Sequence, residues 1–162
     1  ILAYSGIMEN KEVSWFPAYG PEQRGGTANC NVIVSDEAVD SPQIEEPNVL
    51  IALNVPSLKR FLPMLDEGGK LIVNADLISD DFDHSAYETY FIPSGQIAKE
   101  NDMERSENMI YLGAYAAITG SLALEHIYAL VEKVFTGKKA QFNGANKAMA
   151  KAGFEFYAKA KA

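Results

Sequence analysis

The stretch VLIALNVPSLKRFLPMLDEGGKLIVN, residues 49–74, decides the fold class that the sequence predicts. It begins and ends with an apolar run, and continuous runs of this kind are typical of parallel strands covered on both faces. Pro56 suits the first turn of a helix, and Gly68-Gly69 suits the turn before the second run. Strand, short helix and strand in this order predict a right-handed βαβ unit.

Two asparagines close the apolar runs of this unit. Asn54 follows the first run and Asn74 follows the second, so both are expected at the carboxyl ends of their strands. Ligands of open α/β sheets bind outside those ends. Asn54 and Asn74 are therefore candidate binding residues.

Other short runs on either side of this unit also have strand character, rich in β-branched and aromatic residues. Together they predict an α/β protein, a three-layer α/β/α domain with a mainly parallel sheet. The five predicted strands lie near Val13, Val32, Leu50, Ile72 and Tyr90. Pro17 is expected to end the first of them, because its ring removes a ladder donor.

A candidate binding loop, YGPEQRGG at residues 19–26, lies between the first two predicted strands. It places opposite charges beside the most permissive backbone of the chain, which suits a binding edge. Two roles stay open for Arg24: an ion pair with Glu22 that braces the loop, which is the commoner arrangement, or a bidentate contact to a phosphate or carboxylate of a partner. The candidate residues of the loop are Tyr19, Gly20, Pro21, Glu22, Arg24, Gly25 and Gly26.

The last third of the chain is predicted to be helical. Residues 108–119 are apolar nearly all round and rich in small side chains, which favours close helix packing over a cofactor site. The acidic run 79–85 holds Asp80, Asp81, Asp83 and His84, but these residues lack the spacing of metal ligands. We predict no metal site and no catalytic residue.

Composition excludes some classes of function. The 162 residues suffice for one domain with its own core, and the formal net charge of −8 argues against a general binder of nucleic acid or of anionic membranes. No apolar run reaches the length of a membrane span. The single cysteine, Cys30, cannot form an intrachain disulfide, so we expect it to be a small buried hydrophobe in a cytoplasmic protein.

The order of several segments resembles the gamma subunit, or gamma domain, of the 2-oxoacid:ferredoxin oxidoreductases. The segments are WFPAYGPEQRGGTANCNVIVSD, EEPNVLIALNVPSLKRFLP, GGKLIVNADLI, IPSGQIAKE, ENMIYLGAYAAITG and ANKAMAKAGFE. They cover nearly the whole chain, and YGPEQRGG and NMIYLGA are the most specific of them. Members of that family usually open with a strand and a glycine-rich GxGGQG loop. The expectation is therefore a single gamma-type domain over residues 1–162 that lacks both features.

The resemblance implies a subunit of an enzyme that oxidatively decarboxylates a 2-oxoacid to an acyl-CoA and passes the electrons to ferredoxin. It implies alpha, beta and delta-type partner subunits that hold thiamine diphosphate, magnesium and [4Fe-4S] clusters, with coenzyme A as a substrate. This chain would be a structural component on the coenzyme A side of an oligomeric complex. A free-standing nucleotide-binding or regulatory α/β module is the alternative, since fold analogy alone does not decide function.

Overall fold

A computed structural model describes residues 1–19 and 28–158 in full, together with the backbone of residues 159 and 160. The chain divides into two compact units, Ile1–Glu46 and Pro47–Ala162. Each unit is described by itself below. The organisation of residues 1–162 as a single domain stays a prediction.

The first unit consists of a helix and a β-hairpin. Helix α1 spans Leu2–Met8, and strands β1 (Glu12–Tyr19) and β2 (Ala28–Ser35) pair antiparallel. The helix lies close against the hairpin at Gly6, where an added Cβ would come 2.7 Å from Val13 Cγ2 and 2.8 Å from Val34 Cγ1. A side chain at this position would therefore push the helix away from the strands.

Three sequence predictions in this unit are wrong. The segments near Val13 and Val32 form a separate two-stranded antiparallel sheet, because the short connection 20–27 allows a hairpin whereas a parallel pair needs a long crossover. Strand β1 continues through Pro17 to Tyr19, since a residue without an N–H is tolerated in an edge strand. Cys30 is exposed, because a strand side chain is buried only where another layer covers its face of the sheet, and Cys30 is left uncovered.

The second unit contains the parallel sheet that residues 49–74 predict. Strands β3 (Val49–Ala52), β4 (Lys70–Asn74) and β5 (Glu88–Ile92) run parallel in the order β3-β4-β5, and helix α2 (Val55–Phe61) connects β3 to β4. Four further α-helices are α3 (Ser94–Glu100), α4 (Asn108–Thr119), α5 (Leu124–Val134) and α6 (Asn143–Ala160). Short 3-10 helices span Leu62–Met64, Glu104–Ser106 and Gly137–Phe142.

Helices cover both faces of this sheet. On one face, Leu71 and Val73 of β4 lie in a buried hydrophobic cluster together with Leu58 of α2. On the other face, Tyr90 of β5 meets Tyr157 of α6 edge to face, with ring centroids 5.2 Å apart. The α/β class with a parallel sheet between helical layers is therefore confirmed, with three parallel strands instead of five.

Helices α4 and α6 cross with their backbones in contact. A Cβ on Gly113 of α4 would lie 1.8 Å from the Ala150 carbonyl oxygen, and one on Gly153 of α6 would lie 2.0 Å from that of Ile110. Both distances are far below any real carbon–oxygen contact. The small residues of α4 serve helix packing, as the sequence predicts.

Candidate functional site

The two asparagines that the sequence singles out do lie at strand ends. Asn54 is the N-cap of α2, and its Oδ1 accepts a hydrogen bond from the Ser57 N–H at 2.9 Å. Such caps satisfy a helix N–H that has no partner within the helix. Asn54 therefore fixes the turn that leads from β3 into α2.

Asn74 has a similar role after β4. Its buried side chain accepts from the Asp76 N–H at 2.9 Å, and its carbonyl oxygen accepts from the Ile78 N–H at 2.9 Å. These bonds shape the turn that leaves the strand. The amide oxygens of Asn54 and Asn74 thus each accept a structural hydrogen bond. Ligand binding by these two residues stays a prediction.

Beside Asn74 the structure brings together four side chains that the sequence analysis missed. Asp76 lies exposed after β4, and its Oδ2 accepts from the Gly95 N–H at 2.7 Å. This contact joins the end of β4 to the first turn of α3. Gly95 allows the approach, because a Cβ there would lie only 3.1 Å from the same carboxylate oxygen.

A chain of hydroxyl groups continues from this contact into the interior. The fully buried Ser94 Oγ donates to Glu107 Oε1 at 2.6 Å and also bonds the Tyr111 hydroxyl. Because the single Ser94 proton goes to the carboxylate, Tyr111 donates to Ser94. Burial raises the pKa of Tyr111 to about 12, and the charges of Glu107 and Asp76 act in the same direction.

This cluster of Asp76, Ser94, Glu107 and Tyr111 connects three of the segments that carry the family resemblance. Ser94 lies 13 residues before Glu107 and 17 before Tyr111, separations that predict no contact by themselves. Membership in the quoted segments was the only sequence signal. Chemically, the cluster positions the starts of α3 and α4 against the end of β4 through hydrogen bonds.

Most of the predicted binding loop lies outside the described residues: Gly20, Pro21, Glu22, Arg24, Gly25 and Gly26. Tyr19 is the last residue of β1, and its side chain is 76% exposed. Both roles considered for Arg24 therefore stay predictions.

The acidic run 79–85 is held together by local contacts. His84 Nε2 lies 2.6 Å from Asp80 Oδ1, and its ring packs against Phe82 and Phe91. Ser85 donates twice to Asp83, which lowers the pKa of that carboxyl. Over residues 1–19 and 28–158, no group of three or more His, Cys, Asp or Glu side chains is arranged to hold a metal ion.

Within the part of the chain that the structure describes, no helix is both long and apolar enough to cross a membrane.

Known proteins that are similar to this chain include subunits of oxidoreductases. It is 39% identical over 140 residues to the ketoisovalerate oxidoreductase subunit VorA of Methanothermobacter thermautotrophicus, an alignment that covers 85% of this chain and 29% of the relative. It is 32% identical over 123 residues to the 2-oxoglutarate synthase subunit KorC of Methanocaldococcus jannaschii, covering 75% and 66% of the two chains. The chain thus spans less than two thirds of the length of these curated relatives.

A solved structure is also similar to this chain. The keto/oxoacid ferredoxin oxidoreductase gamma subunit from Geobacter sulfurreducens superposes with a TM-score of 0.75 at 26% identity, over 94% of this chain and 84% of that one. The resemblance drawn from the sequence segments is confirmed. Since the model of the family described as "Pyruvate ferredoxin/flavodoxin oxidoreductase" matches residues 1–156, the chain belongs to that family.

Proposed function

We propose that this chain is the gamma-type component of a thiamine-dependent 2-oxoacid:ferredoxin oxidoreductase. The complex would convert a 2-oxoacid and coenzyme A into an acyl-CoA and carbon dioxide, and pass the electrons to ferredoxin in the cytoplasm. The observation that carries the proposal is the similarity to a gamma subunit along 94% of this chain. The names of the relatives, which include a ketoisovalerate oxidoreductase and a 2-oxoglutarate synthase, support the same reaction class.

The proposal assigns the cofactors to partner subunits of alpha, beta and delta type. Iron–sulfur clusters are held mainly by several cysteine thiolates, whereas this chain has one cysteine. The described carboxylates of the Asp76 cluster are engaged by a backbone N–H and a serine hydroxyl. Thiamine diphosphate, magnesium and the [4Fe-4S] clusters would therefore be bound elsewhere, and this chain would contribute structure on the coenzyme A side.

Exposed aromatic side chains on β1 support assembly with partners. Trp15 is 62% exposed, Phe16 41% and Tyr19 76%. Trp15 and Tyr19 lie on the same face of the strand, because alternate residues of a strand point the same way. Aromatic residues are enriched at protein interfaces, where their large area is removed from water.

Reconstitution tests the proposal. The chain is tagged in its native cell, and proteins that copurify with it are assayed for iron, thiamine diphosphate and viologen reduction with pyruvate, 2-oxoglutarate and ketoisovalerate in parallel. We expect a cluster-containing complex that loses activity when this chain is removed and regains it when the chain is added back. A monomer that retains a nucleotide would instead support the regulatory module, and turnover by the chain alone would refute the proposed division of labour.

A further inference from the structure

We draw no further inference here: the strongest candidate, the open edge of strand β3 with its exposed Ile51 and the exposed Leu53 that follows it, has no pairing strand on that side among the described residues, and nothing in the structure shows what covers it.

Discussion

At the scale of single residues, Ser94 is the centre of the candidate site, because its hydroxyl bonds both Glu107 and Tyr111. Ser94→Ala would leave the buried tyrosine hydroxyl without its acceptor and Glu107 without this donor. Leaving buried polar groups unpaired costs about 1–3 kcal/mol. We therefore expect urea unfolding to show a free energy of unfolding that is lower by about 1–3 kcal/mol.

Tyr111→Phe is the matched variant. It removes the phenol hydroxyl but leaves the bond from Ser94 to Glu107 intact, so we expect a smaller loss than for Ser94→Ala. Equal stability of Ser94→Ala and the wild type would show that the hydroxyl chain does not stabilise the fold.

The buried hydroxyl of Tyr111 should also make the stability of the fold depend on pH in the alkaline range. Burial raises its pKa to about 12 in the folded protein, from an ordinary value of 10.0. A group whose pKa is raised by folding contributes its full stabilisation below the pKa of the unfolded chain, where both states keep the proton. For Tyr111 this stabilisation is lost as the pH rises from 10.0 through about 12. We expect the melting temperature of the wild type to fall more steeply across this range than that of Tyr111→Phe. Parallel curves for the two proteins would contradict the assignment.

Arg24 lies outside the described residues, so a substitution is needed to distinguish its two predicted roles. Arg24→Lys keeps the charge but loses the bidentate geometry. If the guanidinium binds coenzyme A or a partner, the apparent dissociation constant for coenzyme A or for the assembled complex should rise by about ten- to a hundred-fold. The melting temperature should stay unchanged. A lower melting temperature with normal constants would identify Arg24 as a brace within the loop.

At the scale of elements, the crossing of α4 and α6 is the tightest described contact between helices. In Gly113→Ala the new methyl group would overlap the Ala150 carbonyl, which lies 1.8 Å from the ideal Cβ position. The helices would have to separate, and overpacking of this kind costs about 1–3 kcal/mol. We expect a clear loss of stability in thermal or urea unfolding.

Gly144→Ala is the control for this variant. Gly144 lies in the first turn of α6, and an added Cβ there would meet nothing within 4 Å. Because alanine is the better helix former, we expect a gain of up to about 1 kcal/mol. Similar losses at both positions would argue that general helix effects, rather than the close crossing, decide the result.

At the scale of the whole molecule, the exposed aromatic face of β1 should matter for assembly and not for folding. Trp15→Ser removes a side chain that is 62% exposed, so the melting temperature should change little. If Trp15 is an interface anchor, truncation should weaken assembly by at least about ten-fold, since such anchors are worth roughly 2 kcal/mol or more. Size-exclusion chromatography of the reconstituted complex measures this.

Leu77→Ser provides a comparison, because Leu77 is also 62% exposed but lies in the turn region after β4. We expect it to assemble normally. A similar defect in both variants would mean that assembly depends on exposed apolar surface in general and not on the aromatic face of β1.

The sequence by itself determined the features that depend on neighbouring residues. Apolar runs with Pro56 and Gly68-Gly69 between them specified two strands and a helix in the order that β3, α2 and β4 have. The small residues of α4 predicted its close packing, and the order of motifs identified the family. These signals are local, because periodicity, caps and turns are set by residues a few positions apart.

Only the tertiary structure decided which distant segments meet. The sequence did not show that β1 pairs antiparallel with β2, that Cys30 is exposed, or that Ser94 contacts Tyr111, 17 residues away. Of the candidate site, it placed Asn54 and Asn74 at their strand ends but missed the hydroxyl chain beside Asn74. Strand partners, burial and such hydrogen bonds arise from long-range packing, which brings together side chains whose spacing along the chain carries no signal.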